Sequence, residues 1–239
     1  MTTRPFPATH HQNRTYFVTF LYFRPGGRER MKQFMDHVGP LWTEHGMGNA
    51  GTLDIAMKRA VEGENNVAQP DQIRFNYAED MALFKKYQEH PLPREYAHLR
   101  DEALERITIL LASENDITPR ATYEEGDVDK RLYVVQLIDF KPKGEAKLDE
   151  FYDKAAPLFQ RYGFHFDYML SPLKKLDAKG DSSDLTLPQK VVLFHADDPD
   201  QLGVYNQDPE YLRLAPIREA GVAHNRLFGG RLIGQGVSA

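Results

Sequence analysis

The 239-residue sequence predicts an α+β fold of two tandem βαββαβ units, and it does so on three observations. The chain carries one pattern twice. Displaced by 117 residues, 16–46 lies on 133–163 without a gap, with ten identities among 31 positions; ordinary residue frequencies give about two by chance. Within each copy, β-branched and aromatic runs alternate with stretches whose apolar residues recur every three to four positions. Between the copies, 113–130 is an acidic stretch without counterpart in either. A unit of about 100 residues far exceeds a solenoid repeat, so it is a duplicated domain.

Residues 1–14 form a polar leader with Pro5, Pro7 and the pair His10-His11. It lacks the apolar core of a signal peptide, and the two histidines read as solvated. The first repeat, 15–112, opens with the strand 16–23, and Arg24-Pro25-Gly26-Gly27 turns the chain. A helix follows, its stripe made by Met31, Phe34, Met35, Val38, Leu41 and Trp42. Leu148, Phe151, Tyr152, Ala155, Leu158 and Phe159 repeat that stripe. Pro40 and Pro157 remove a backbone donor and predict a kink near the last turn, and Gly46 and Gly163 fit the C-terminal stop. The glycine-rich 46–51 reads as a hinge loop, 51–58 as a strand and 62–70 as a polar loop. In the second repeat, 131–235, the corresponding strand is 164–170, followed by a charged loop over 174–184.

Third strands are predicted at 72–77 and 190–195, helices at 80–89 and 199–207, shorter helices at 94–103 and 210–219, and final strands at 106–111 and 226–233. With a one-residue change of register this half also repeats, through Ala78/Ala196, Asp80/Asp198, Tyr87/Tyr205, Pro91/Pro209, Ala97/Ala215 and Arg100/Arg218. Each copy is therefore a split βαβ, ferredoxin-like unit, and 113–130 is an extended linker.

Composition excludes several roles. A net charge of −5 and the lack of any Lys/Arg-rich block argue against nucleic-acid binding. With no cysteine there is no disulfide, thiolate metal site or thiol nucleophile; this is compatible with a cytoplasmic location. No run approaches the about 18 apolar residues of a membrane span. No metal-binding His spacing, nucleotide-binding glycine fingerprint or P-loop is present.

A four-stranded sheet with helices on one face leaves the other bare, and that face needs a partner. The fused duplicate supplies one, by face-to-face packing or as a shared pseudo-dimeric barrel. The residues that carry this pattern are 133–139, Ala156-Pro157-Leu158 closing on Tyr162-Gly163, 191–194, Tyr205-Asn206, Pro209-Glu210-Tyr211 and Arg218. In them the chain resembles the dimeric α/β-barrel superfamily, nearest a branch of small stress- or metabolism-associated proteins. The resemblance covers both copies. It implies a pseudo-dimeric α/β barrel; superfamily activities include antibiotic-biosynthesis-type monooxygenases, muconolactone isomerases and chlorite dismutases. Some members bind haem through a histidine; no residue here stands out as such a ligand, so no cofactor is expected, with haem the one the resemblance leaves open.

Differences between the copies point to candidate residues. Arg74 and Asn76 share one face of a strand where the second copy has Val192 and Phe194. An arginine and an asparagine so placed can hold a carboxylate or enolate oxygen. Thr19 and its counterpart Gln136 are expected to line the barrel interior, and Tyr77 is the counterpart of His195. His165 and Asp167 share a face of their strand; with His195 they form a candidate acid–base set if the two strands pair in register. The expected function is a small-molecule oxygenase, isomerase or cyclase with its pocket in the barrel, acting on a hydrophobic or aromatic compound. A non-catalytic binding or interaction protein, including a homo-oligomer, is the alternative.

Overall fold

The structure is a computed structural model and describes residues 14–114 and 130–234. His10, His11 and nearly all of the linker lie outside them. The first repeat contains β1 (Thr15–Phe23), α1 (Gly27–Glu44), β2 (Met47–Glu62), β3 (Gln72–Ala78), α2 (Met81–Glu89), α3 (Pro91–Glu95), α4 (Ala97–Ala103) and β4 (Leu104–Glu114). The second contains β5 (Leu132–Phe140), α5 (Glu145–Arg161), β6 (Phe164–Lys179), β7 (Lys190–Ala196), α6 (Gln201–Tyr205), α7 (Pro209–Gly221) and β8 (Val222–Gly234). Gly46 and Gly163 adopt φ of 67° and 66° just past α1 and α5, as helix-stop glycines do. Both helices continue beyond Pro40 and Pro157.

The eight strands close into one barrel in the order β1-β3-β2-β8-β5-β7-β6-β4. Each repeat contributes a four-stranded antiparallel sheet, and the seams are β2 with β8 and β4 with β6. The expected pseudo-dimeric barrel is thus present, with two local departures. The supposed hinge at 46–51 is the start of β2, in register with β3 from Met47 onward. The supposed charged loop after 170 is the second half of β6, where Lys174–Lys179 pair with Leu111–Ile107 of the other repeat. A strand whose partner lies in another domain need not show the alternation of a half-buried one.

Alternate residues of the strands point inward. Tyr16, Val18 and Phe20 of β1 meet Tyr133, Val135 and Leu137 of β5 in one buried cluster that also includes Phe75, Tyr168 and Phe228. The barrel interior is therefore filled with side chains, and the expectation of a pocket inside it is corrected. The opposite faces carry the helices.

One pair of repeated identities has a steric cause. A Cβ on Gly27 would sit 2.0 Å from the carbonyl oxygen of Ala103, and one on Gly144 would sit 1.9 Å from that of Gly221. In each repeat the first turn of the long helix rests directly on the end of the last helix. Gly144→Ala is expected to destabilise the protein by at least about 1–3 kcal/mol, the cost of forced overpacking. Urea denaturation checks it; an unchanged midpoint would contradict this packing.

Candidate functional site

The helix-facing side of the sheet differs between the repeats. In the second repeat β5, β6 and β7 present Ile138, Phe166, Met169, Val192 and Phe194 to a set of aromatic rings from α5, α6 and α7. Phe159 meets Phe166 at 5.1 Å, Phe164 meets Tyr205 at 5.0 Å and Tyr205 meets Tyr211 at 4.4 Å. These rings close the layer.

At the same positions the first repeat has polar side chains. Strand register makes Asn49, Thr52, Arg74 and Asn76 the counterparts of Phe166, Met169, Val192 and Phe194. Here the layer opens into a cavity of about 1010 Å³. Thr19, Asn49, Thr52, Gln72, Arg74 and Asn76 form its polar floor, and Phe34, Met35, Trp42, Phe84 and Tyr87 are among its apolar walls. Leu176 and Ala178 of β6 and Ile233 of β8 reach across the seams to complete it.

The floor is tied together. Asn49 Nδ2 donates to Thr52 Oγ1 at 2.9 Å. Arg74 Nη2 and Nε donate to Gln72 Oε1 at 3.0 and 3.3 Å, and Gln72 Nε2 donates to Asp54 Oδ1 at 3.0 Å. Asp54 is also held by Arg28 Nη1 at 2.6 Å. The Arg74 guanidinium therefore has an amide oxygen and no carboxylate among its hydrogen-bond partners in the described residues. Burial, reinforced by the charge of Arg28 and only partly offset by Asp54, brings its pKa down to about 10. It is still a cation at neutral pH, in a place that disfavours one.

A second cluster occupies one end of the barrel. His165 of β6 and His195 of β7 are directly opposite in register, with ring centroids 4.9 Å apart. A bulge in β6 between Phe166 and Tyr168 brings in Asp167, whose Oδ2 lies 2.8 Å from His195 Nδ1. His165 Nε2 lies 2.8 Å from Asp197 Oδ2, and Arg131 Nε donates to Asp197 Oδ1 at 3.0 Å. The Arg131–Asp197 pair repeats Arg14–Glu79 of the first repeat, where Nε to Oε1 is 2.9 Å. The histidines do not repeat. Gly48 and Tyr77 take their places, and a Cβ on Gly48 would come within 2.4 Å of the Tyr77 ring.

One atom each from His165, His195 and Asp197 lie within 4.8 Å of one another, a spacing a metal ion could use. Arg131 already supplies a cation to that carboxylate, so the set suits a buried ion pair better than a metal.

Burial lowers the His165 pKa from its ordinary 6.5, opposed by the hydrogen bond to Asp197, and burial raises that of Asp167, opposed by His195. For His165 the unfolded chain then binds the proton more readily than the folded one. Its contribution to stability is complete above 6.5 and is lost as pH falls through the lowered folded value. His195, Asp167, Asp197 and Arg131 all face this ring. The melting temperature of the parent is expected to fall more steeply between about pH 7 and about pH 5 than that of His165→Gln, which lacks the titrating ring. Calorimetric melts at the two pH values measure this, and parallel slopes would refute it.

No sequence-family profile matches the chain, and no curated protein does. Solved structures do. An anthrone oxidase-like protein superposes with a TM-score of 0.63 at 14% identity, covering 98% of each chain. A candidate monooxygenase from Fusobacterium nucleatum gives 0.55 at 11% identity, covering 92% of this chain and 93% of the other. A chlorite dismutase variant from Candidatus Nitrospira defluvii gives 0.52 at 10%, covering 92% and 90%. The chain has the dimeric α/β-barrel fold. Both halves of this barrel reside in one polypeptide, which agrees with the resemblance carried by the sequence.

Within the α/β barrel the eight candidate residues fall in three places. Thr19, Arg74 and Asn76 meet on the cavity floor, with Tyr77 at its border. Thr19 therefore faces the helices, not the barrel interior. Gln136 also faces the helices, but in the closed layer of the second repeat, 3.4 Å from the Tyr152 hydroxyl. His165, Asp167 and His195 assemble as the register condition required, yet none of them lines the cavity. Asn49, Thr52 and Gln72 are additions. The signal for the first two was available in Phe166 and Met169, but the copy-one segment 47–53 reads poorly as a strand on its own.

Haem bound through histidine does not fit the cavity, since among the described residues its lining includes no histidine. Tyr87 is a poor substitute, because burial pushes its phenol up to about 12 and keeps it protonated. Among the described residues no helix is long and apolar enough to cross a membrane.

Proposed function

We propose that this chain is a small-molecule enzyme of the oxygenase or oxidase type. Its reaction chamber is the cavity between sheet and helices in the first repeat. One observation carries the reading: the duplicated layer is solid with aromatic rings in one copy, and in the other it is an apolar chamber with Arg74, Asn76, Asn49 and Thr52 converging on its floor. An apolar enclosure with a few placed polar groups is the usual form of a ligand site. The names of two structural neighbours, anthrone oxidase-like protein and candidate monooxygenase, support the reaction class.

Among the described residues the lining contains no His, Asp, Glu, Cys or Ser. The described lining therefore offers no thiol, carboxylate or imidazole to act as nucleophile or as a base near neutrality. It offers electrostatic stabilisation of an oxyanion within an apolar enclosure, where a fixed guanidinium is effective. A compound with a methylene activated by conjugation to an aryl ketone carbonyl, as in anthrone, suits this. Its proton leaves to water, and Arg74 holds the enolate oxygen. The enolate carbon reduces dioxygen and bonds to it, giving a peroxide that regains the proton and eliminates water. The methylene becomes a carbonyl, one oxygen atom is retained and the other departs as water.

Anthrone oxidation followed at an oxygen electrode tests the proposal. The double variant Asn49→Phe/Asn76→Phe rebuilds the floor of the closed repeat. It is expected to lose at least about 100-fold in catalysed uptake, the scale set by removing an oxyanion donor, while its circular dichroism remains that of the parent. A folded double variant with undiminished uptake would overturn the proposal, as would a parent inactive on all such methylene compounds.

A further inference from the structure

We propose that the first-repeat cavity selects organic anions: an apolar, multi-ring body bearing one ionised oxygen acid that docks on Arg74. The inference rests on the cavity being the ligand site; the oxygenase chemistry is not required.

Among the described residues the charges on the lining are all of one sign: Arg28, Lys32, Arg74, Arg94 and Arg100 border the cavity, and no acidic residue does. Arg74 is the deep one. The others stand at the opening, where the side chains of Arg28, Lys32 and Arg100 are 50%, 67% and 41% exposed and Arg94 is exposed. Asp54, Asp36 and Asp101 pair with Arg28, Lys32 and Arg100 from the outer surface. Exposed pairs of this kind contribute about 0–1 kcal/mol each, so an entering anion can draw on the same cations. Converging cations at the mouth of an apolar cleft also raise the capture rate of an anion.

The second repeat acts as an internal control for what the fold itself demands. The counterparts of Arg28 and Lys32 are Glu145 and Asp149, with the charge reversed. There they hold Lys190 at 2.9 and 3.8 Å, and Lys190 is the counterpart of Gln72. Arg74 becomes Val192 and Arg94 becomes Leu212. Only Arg100 has a cationic counterpart, Arg218, which pairs with Glu62 of the first repeat. The residue standing in Glu62's place opposite Arg100 is Lys179. Thus the cationic lining follows the open cavity and not the shared architecture. The lack of a base among the described residues of the cavity agrees with this, since a substrate that arrives ionised needs none.

The volume of about 1010 Å³ is at the upper end of the drug-sized range, which selects a body of several rings over a single one. A carboxylate and a phenolate or enolate share the required oxygen, and the probes separate them. Binding is measured by isothermal titration, with oxygen excluded, for anthracene-2-carboxylate, its primary amide, and anthrone. Ionisation of bound anthrone is followed by its visible absorption. The carboxylate is expected to bind about 10- to 100-fold more tightly than the amide, the range for a hydrogen bond to a charged group. Arg74→Met should abolish that preference with its melting curve intact, and Arg74→Lys should restore part of it. Enhanced ionisation of anthrone without carboxylate preference narrows the acid to an enolate or phenolate and supports the proposal. Amide and carboxylate binding equally with no ionisation of anthrone, or a preference that survives in Arg74→Met, overturns it. Selective anion binding without oxygen uptake would sink the oxygenase reading and leave this one standing.

Discussion

Arg74→Val is expected to raise the melting temperature while removing anion binding. Few substitutions of a half-buried, hydrogen-bonded arginine should do so, and the reason lies in its partners. The guanidinium bonds only the side-chain oxygen of Gln72 within the described residues, and burial brings its pKa down to about 10. A depressed arginine is one the folded state holds at a cost. Valine is the residue the second repeat carries at this point, buried completely in the aromatic layer. Replacing a whole buried ion pair by well-packed apolar residues is often neutral or stabilising, by about 1–4 kcal/mol; a single half-buried cation with no carboxylate bonded to it among the described residues stands at the low end of that range. Against this stands the loss of the bond to Gln72, worth about 1 kcal/mol. Gln72 keeps its bond to Asp54 through Nε2, so the balance favours the variant. At about 2–4 °C per kcal/mol for a chain of this size, the gain is measurable by calorimetry. Retained stability with lost binding identifies Arg74 as a residue kept for its ligand. A fall in melting temperature would identify it as part of the packing.

The architecture was legible in the sequence because duplication doubles every signal. Each strand and stripe could be checked against its twin, and Gly27/Gly144 and Gly46/Gly163 marked close approaches and turns that only glycine allows. What escaped was whatever depends on the other copy. The outer half of β6 is a strand because β4 pairs with it, and nothing within 174–179 announces that. Likewise the start of β2 is rich in glycine, since the Tyr77 ring occupies the room a side chain at Gly48 would take. The candidate site was legible in part. Arg74 and Asn76 were identified by their divergence from Val192 and Phe194. Their destination was not, because alternation assigns residues to two faces without saying which face meets helices. The interior took the fully apolar set, Val18, Phe20, Ile73 and Phe75 among them, and the polar set was left to the helical side. His165, Asp167 and His195 came together as the register allowed, at a distance from the cavity that no spacing in the sequence could reveal.

Arg218→Ala is expected to be the most damaging single change, at about 3–5 kcal/mol, and to act on both repeats at once. Arg218 is in α7 of the second repeat, and its guanidinium pairs with Glu62 at the end of β2 in the first. Both side chains are about nine-tenths buried, at 10% and 9% exposure. Arg218 Nη1 also donates to the Tyr211 hydroxyl at 2.6 Å, and the guanidinium lies 5.4 Å from the Phe151 ring. Alanine would leave the Glu62 carboxylate buried without its counter-charge and would empty the space between the two rings. Removing both charges is a different matter: Arg218→Met/Glu62→Met takes away the need for compensation and is expected to lie much nearer the parent, or above it. Comparing the single and double variants in urea separates the worth of the pair from the harm of breaking it. The number of transitions carries a further point. Strands of the two repeats pair at two seams of a closed barrel, and each repeat covers the inward face of the other. Loss at this one cross-repeat contact should therefore shift a single cooperative transition detected alike by fluorescence and circular dichroism. Two separated transitions, with the first repeat surviving the loss of the second, would mean that the halves fold independently. Leu176, Ala178 and Ile233, which complete the cavity from the far side of the seams, would then be too loosely held to shape a ligand site.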